Sequence, residues 1–327
     1  MQIYVNTPGC KVSVKDGQLV VRPPEGEVQR IPLAQIDSVF IHRSCLLTAE
    51  VAFAAVEHDI DVQFADRRGK PVARLWSGRF GSISVIRKKQ ALFCQSPQAV
   101  VWVQQLLAEK CEHQTATLLS LPDSREEHLV QNPVVKMSDL RKRLLEEQQD
   151  SLADAGPRLR ALEAAASKYY FQTLSALMPS QYRFEQRSQH PARDMFNCLL
   201  NYAYGILYGK VEESLIRAGV DPFIGVFHRD EYNRPVLVYD MIERFRHWAD
   251  YVVCRLCRQE VIFIEFFEVE QGAFWLNEYG KRILIQAFTD YMEEVIVWQG
   301  LQRSRTTHIL LSAQNFATFL KGFEQQV

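Results

Sequence analysis

Gly219-Val-Asp-Pro-Phe-Ile-Gly-Val-Phe-His228-Arg-Asp-Glu-Tyr-Asn-Arg-Pro-Val-Leu-Val-Tyr-Asp240-Met-Ile-Glu243 sets an imidazole, a turn and two carboxylates within one short segment. Asp240 and Glu243 are three apart, so a helix beginning near Tyr239 projects both from one face of its first turn. His228 lies upstream, where Asp-Pro-Phe-Ile-Gly and Asp-Glu-Tyr-Asn-Arg-Pro read as turns flanking short apolar runs. One imidazole with two carboxylates fits a hard, oxygen-rich metal site with a single nitrogen ligand. An acid followed three residues later by Glu is also a helix-capping pattern, and a lone His is more often structural. This stretch alone leaves both readings open.

Outward from it the chain reads as helical. Downstream come a helix from Glu243 to about Arg258, an apolar segment Val261 to Phe267, an Asn277-capped helix to about Gln299 and a final helix Gln314 to Gly322. Upstream, Asp194 is a candidate cap for a helix in which Phe196, Leu199, Leu200, Ala203, Leu207, Val211 and Leu215 keep a 3.6-residue period. Gly205 and Gly209 in it are spaced to let another helix approach. The helix Arg158 to Met178 places Leu159, Glu163, Ala166 and Tyr170 at i, i+4, i+7 and i+11, so Glu163 falls on the apolar face. Burying a carboxylate there demands an ion pair or a metal, and the helix does not say which. Before it, Ser96-Pro97 opens one helix, and a charged helix from about Ser138 to Ala155 is ended by Gly156-Pro157.

Residues 1 to about 86 read mostly as strand: Ile3 to Val5, Lys11 to Val14, Gln18 to Arg22, Val28 to Ile31, Ser38 to Ile41, Ile60 to Ala65 and Pro71 to Trp76. Asp16-Gly17 signals a hairpin, and Thr48 is a candidate cap for a short helix Ala49 to His58. At 327 residues the chain exceeds what one core usually serves. The expectation is an α+β chain: a small β-sandwich-like domain over 1–88, then a larger all-α domain over 89–327.

The 47% hydrophobic and 24% charged fractions belong to an ordinary soluble protein, with no run long enough for a membrane helix and no signal-peptide core. Seven cysteines without regular spacing point to free thiols in a reducing compartment, hence the cytoplasm. Net charge is −1, so a nucleic-acid partner requires a local patch. One exists: Arg67, Arg68, Lys70, Arg74, Arg79, Arg87, Lys88 and Lys89 fall within 24 residues that hold no Asp or Glu. A phosphate backbone, an acidic protein surface or simple protection of strand edges each accounts for such a run.

The order of features resembles the CRISPR-associated integrase of the spacer-acquisition machinery, a metal-dependent DNA endonuclease and integrase. The matching stretches are Ile3-Tyr-Val-Asn-Thr-Pro-Gly9, Arg30-Ile-Pro-Leu-Ala-Gln-Ile36, Asp66-Arg-Arg-Gly-Lys-Pro71, Leu162-Glu-Ala-Ala-Ala-Ser-Lys-Tyr-Tyr-Phe171, Arg193-Asp-Met-Phe-Asn-Cys-Leu-Leu-Asn-Tyr-Ala-Tyr204, Gly219 to His228 and Tyr239-Asp-Met-Ile-Glu-Arg-Phe-Arg246. The last three, in that order and spacing, are the specific part. Departures are Glu243 where the family often has Asp, Ala164 where Gly is usual, and Ser188-Gln-His-Pro191 where Arg-Arg-Pro is common.

The resemblance implies a β-rich domain that builds a homodimer and a helical domain that holds the active site. It implies Glu163, His228 and Glu243 as ligands of Mg²⁺ or Mn²⁺, with Asp240 as a nearby essential acid. It also implies double-stranded DNA substrates, the protospacer and the CRISPR repeat, and a small ferredoxin-like CRISPR-associated adaptation protein as partner. Arg187, Arg193, Arg244 and Arg246 are the candidate DNA phosphate contacts. The competing reading is a non-catalytic DNA-binding scaffold whose carboxylates serve only as caps and ion pairs. No HExxH or similar compact zinc motif supports a small-molecule metallohydrolase.

Overall fold

A computed structural model describes residues 1–58, 60–65, 71–75, 83–228 and 232–324. The chain divides into two compact units, Met1–Gly81 and Ser82–Val327. Arg67, Arg68, Lys70 and Arg79 of the basic run lie outside the described residues.

The first unit contains β1 (Gln2–Val5), β2 (Lys11–Lys15), β3 (Gln18–Arg22), β4 (Gln29–Pro32), β5 (Ser38–His42), β6 (Leu46–Leu47), α1 (Ala49–Glu57), β7 (Asp61–Ala65) and β8 (Pro71–Arg74). They form two four-stranded sheets, ordered β1-β5-β7-β8 and β4-β3-β2-β6. Inward residues of both sheets, among them Val5, Val12, Leu19, Val39, Ile41 and Val62, share one apolar core with Val51 of α1. The β2–β3 hairpin turns at Asp16-Gly17, both with positive φ (52° and 70°), as its sequence predicts. Thr48 stands at the cap position of α1, but its side chain makes no capping hydrogen bond.

The second unit begins with α2 (Ile83–Cys94), so the expected boundary at residue 88 falls inside a helix. There follow α3 (Pro97–Ser120), α4 (Glu127–Leu145), α5 (Leu152–Leu177), α6 (Met195–Arg217), α7 (Val236–Met241) and α8 (Arg246–Arg258). The unit closes with β9 (Phe267–Glu270), β10 (Ala273–Leu276), α9 (Glu278–Glu293), β11 (Val295–Trp298), β12 (Leu301–Ser304) and α10 (Arg305–Gly322). All-α is therefore too strong: β9–β10 and β11–β12 are antiparallel hairpins. Each turns on a Gln-Gly pair with positive φ, Gln271-Gly272 and Gln299-Gly300, which stops the helical pattern and starts a hairpin. For the same reason α9 ends at Glu293 rather than Gln299. Ser304 then caps α10 by accepting from Thr307 N, so that helix starts at Arg305 and not at Gln314.

Gly156-Pro157 does not end a helix. Ser151 caps α5 by accepting from Asp154 N, and the helix runs on through Pro157, whose exposed ring sacrifices one backbone hydrogen bond near the helix start. α6 is the central helix of this unit: Phe196, Leu199, Leu200, Ala203, Leu207, Val211 and Leu215 are all buried. Each of the Phe, Leu and Val side chains contributes roughly 1.5–3 kcal/mol of burial, which makes α6 a rigid reference for its neighbours. Gly205 and Gly209 mediate no close helix approach, since a Cβ added at either meets nothing within 4 Å. Among the described residues no helix is long and apolar enough to cross a membrane.

Candidate active site

Four elements of the second unit bring the site together. α3 presents Lys110 and α5 presents Glu163. The loop after α6 carries His228, and α7 with the 3-10 turn Ile242–Arg244 carries Asp240 and Glu243. Lys110, Glu163, His228, Asp240 and Glu243 line one cavity of 580 Å³. A second cavity of 600 Å³ shares Lys110, Glu163 and Glu243 and adds Arg187, Tyr204 and Arg246. The two carboxylates stand where these spaces meet.

Asp240 does not cap a helix. It lies in the last turn of α7, fully buried, and its carboxylate captures the loop before it. Oδ2 accepts from the backbone N–H of Val226 (2.8 Å) and Phe227 (3.0 Å). Oδ1 accepts from the N–H of His228 (3.1 Å) and from its ring Nδ1 (2.6 Å). A carboxylate that holds Nδ1–H leaves the Nε2 lone pair for a ligand, the usual arrangement behind a metal-binding histidine. Burial alone lowers the imidazole pKa, but the hydrogen bond and charge of Asp240 outweigh it and raise the net value. Gly225 is required by this loop: a Cβ there lies 2.4 Å from the His228 carbonyl oxygen and 2.9 Å from Val236 Cγ2.

Glu243 sits in the 3-10 turn rather than in the first turn of a helix shared with Asp240, so the two carboxylates serve different partners. Its Oε1 accepts from Arg246 Nε at 2.8 Å, and its Oε2 lies 2.7 Å from Lys110 Nζ. Burial alone raises its pKa, but Arg246 and Lys110 overcome that and pull it down to about 2, so the group is ionised. Glu163 is partly buried among Leu159, Ala166 and Tyr170, as its helical spacing predicts. Oε1 accepts from Lys110 Nζ and from Ser167 Oγ at 2.9 Å. The Lys110 ammonium thus bridges both carboxylates. Its burial opposes the charge, while Glu243 and Glu163 more than compensate and raise its pKa.

Lys110 escapes the sequence reading, although it carries the signal that marks Glu163: a charge at helical spacing from Val103 and Leu107, on the buried face of α3. Asp250 is a second such group. Fully buried on α8, it accepts from Tyr170 Oη (2.7 Å) and Tyr204 Oη (2.6 Å). The Tyr204 ring in turn lies 4.6 Å from the Arg246 guanidinium. A continuous polar path therefore runs from Asp250 through Tyr204 and Arg246 to Glu243.

The four arginines separate. Arg246 and Arg187 line the second cavity. Arg187 donates to Asn197 and, at 2.8 Å, to Asn201 Oδ1, with its guanidinium over Phe171 and Tyr204. Arg193 is exposed on the connection before α6. Arg244 lines neither cavity and lies 3.0 Å from Glu109 Oε2 and 5.9 Å from the Trp102 ring. In the basic run, Arg87 lies 3.7 Å from Asp221 Oδ2, Lys89 donates to the Lys321 carbonyl, and Lys88 is exposed.

Among the described residues no three His, Cys, Asp or Glu side chains are gathered closely enough to hold an ion as they stand. The donor set nevertheless fits a hard divalent cation. Two carboxylates and an Nδ1-anchored imidazole line one cavity, a cationic ammonium already lies between the carboxylates, and buried Glu243 Oε2 makes no hydrogen bond of good geometry.

The family model for CRISPR associated protein Cas1 matches residues 3–290. A curated relative, CRISPR-associated endonuclease Cas1 1 of Archaeoglobus fulgidus, is 26% identical over 338 residues, covering 98% of this chain and 97% of that one. Among solved structures, a CAS1 protein from Thermotoga maritima superposes with a TM-score of 0.78 at 17% identity, over 100% of both chains. A casposase bound to an integration product gives 0.78 at 18%, over 100% of this chain and 92% of that one. A Cas6-RT-Cas1–Cas2 complex gives 0.76 at 20%, over 98% of this chain and 35% of that one. Those structural matches establish the shared α+β fold, and the family match spans most of the sequence. The chain belongs to the Cas1 family of CRISPR-associated proteins.

Proposed function

We propose that this chain is a metal-dependent DNA endonuclease and integrase, which inserts short foreign DNA fragments into a CRISPR array by attack of a 3′-hydroxyl on repeat phosphodiesters. One observation carries the proposal: Glu163, Glu243 and the Asp240-anchored His228 come from three separate stretches and line a single cavity. The endonuclease relative and the casposase with its integration product support DNA as the substrate.

Held by Glu163, Glu243 and His228, Mg²⁺ or Mn²⁺ would supply a Lewis acid beside the reacting phosphate. Asp240 keeps Nδ1 protonated and the imidazole in register. Arg246 holds Glu243 ionised and oriented. Arg246 and Arg187 bring positive charge to the adjoining cavity, where a phosphate backbone is accommodated, and exposed Arg193 adds a contact outside it. With a 3′-hydroxyl as nucleophile the outcome is strand transfer; with water it is hydrolysis.

The β-rich first unit is assigned to homodimerisation, and a small ferredoxin-like CRISPR-associated protein is the expected partner. The likeness to a Cas1–Cas2 complex supports assembly of that kind. Seven free cysteines suit the cytoplasm.

The test is strand transfer of a short duplex with free 3′ ends into a supercoiled repeat plasmid. Glu163→Ala, His228→Ala and Glu243→Ala should each abolish Mn²⁺-dependent product while retaining the fold by circular dichroism. Unimpaired integration by any one of them would sink the ligand assignment. One observation favours a second reading, a non-catalytic DNA-binding scaffold: the Lys110 ammonium pairs with both carboxylates. That reading predicts DNA binding indifferent to EDTA and no strand transfer with any divalent metal.

A further inference from the structure

We propose that Lys110 is the resident counter-ion of this site: its ammonium occupies the place of the divalent cation in the ion-free protein and must withdraw when the cation loads. The inference rests on the metal-site reading above and adds to it a residue that competes with the ion.

Three features support it. The ammonium contacts Glu163 Oε1 and Glu243 Oε2 at once, so it bridges the same two carboxylates that a bound cation would share. An ion and an ammonium cannot occupy one gap between two anions, because their charges repel at contact distance. Each carboxylate also has a second holder that does not depend on Lys110. Arg246 Nε keeps Glu243 Oε1 at 2.8 Å, and Ser167 Oγ keeps Glu163 Oε1 at 2.9 Å. The pair therefore stays oriented when the lysine leaves.

The third feature is room. Lys110 lines both cavities, 580 Å³ on the His228 side and 600 Å³ on the Arg246 side. A four-carbon stem with freely rotating bonds can swing its ammonium into either space by side-chain rotation alone, with α3 fixed. The Arg246-side space is the one in which a phosphate backbone would lie, so displacement into it delivers a positive charge towards the anionic substrate.

Charge arithmetic sets the consequence. Glu163 and Glu243 together carry −2, and Lys110 offsets half of that before any ion arrives. Wild-type affinity for a divalent ion is then lower than the carboxylates alone would give. It is recovered in a Lys110→Met variant, which keeps the stem and removes the charge.

Mn²⁺ binding to the purified full chain, measured by electron paramagnetic resonance and by thermal unfolding with and without Mn²⁺, tests this directly. Lys110→Met should bind Mn²⁺ on the order of tenfold more tightly than wild type. It should melt lower than wild type in EDTA and recover most of that gap at saturating Mn²⁺; folding that appears only with Mn²⁺ reads the same way. Lys110→Arg, which keeps the charge, should stay near wild-type affinity. If wild type binds Mn²⁺ and Lys110→Met binds it no more tightly, the counter-ion role is overturned while the metal site stands. If neither binds Mn²⁺, the metal-site reading fails and the counter-ion role falls with it.

Discussion

Replacing Asp240 by Asn changes one oxygen to an amide nitrogen, at a carboxylate with no solvent exposure. Four donors converge on that carboxylate: Val226 N and Phe227 N on Oδ2, His228 N and His228 Nδ1 on Oδ1. Asparagine has one acceptor and one NH₂ group, so in either orientation two of the four donors meet another donor. If the NH₂ replaces Oδ2, the turn at 226–227 loses both anchors. If it replaces Oδ1, the imidazole must take the opposite tautomer, with Nδ1 accepting and Nε2 protonated. A hydrogen bond to a charged group contributes about 1.5–3 kcal/mol, so the first orientation, with two bonds lost, costs roughly 3–6 kcal/mol and the second, with one lost, about 1.5–3 kcal/mol. The loop recovers part of this from water, because the His228 side chain is 46% exposed. The expected net loss is about 3 kcal/mol, a large share of the 5–15 kcal/mol that typically holds a protein folded. Equilibrium urea unfolding measures the stability, and the ¹⁵N shifts of the His228 ring report its tautomer. A variant within about 1 kcal/mol of wild type, with the Nε2 lone pair retained, would refute the anchoring argument.

Other consequences follow from the same geometry. Gly225→Ala forces a Cβ to 2.4 Å from the His228 carbonyl oxygen, so it should cost about 1–3 kcal/mol in urea unfolding and weaken Mn²⁺ binding through the displaced imidazole. Arg244→Ala breaks the Glu109 ion pair and the packing on Trp102, and should lower stability by about 1 kcal/mol while leaving DNA affinity and its salt slope unchanged. His113 and His247 face each other with ring centroids 4.2 Å apart, and burial lowers both pKa values, that of His247 well below the ordinary range. Both are therefore neutral when folded, and their contribution is intact above an unfolded pKa of about 6.5. As pH falls from there towards the folded values, the unfolded chain takes up protons that the folded chain refuses. Stability should then drop by about 1.4 kcal/mol per pH unit for each histidine. Unfolding midpoints between pH 7 and 5 check this, and His247→Gln should flatten the slope.

Periodicity was the part of the sequence that translated most directly into structure. The seven apolar positions of α6 are all buried, and Asp16-Gly17 turns as a hairpin. The same reasoning flagged Glu163, because a charge on an apolar face needs a partner. It did not identify the partner, since Lys110 lies 53 positions away on another helix and local spacing cannot pair two distant faces. Asp240 was legible as a carboxylate near a helix end but not in its role: a cap and a loop anchor share one sequence signature, and only the register of Val226 to His228 separates them. Both C-terminal hairpins escape a reading of the sequence for a comparable reason. Gln271-Gly272 and Gln299-Gly300 sit between runs too short for a two-residue alternation to stand out.

The capture of Val226, Phe227 and His228 by one buried carboxylate also bears on what this chain can tolerate. The imidazole is fixed from the α7 side and from the backbone immediately before it. Further along, before α7, Tyr232 is 93% exposed and Asn233 stands in a left-handed turn with φ of 55°. Extra residues inserted at Tyr232-Asn233 would enter at an exposed turn. It is the place to graft a tag or fluorophore close to the chemistry.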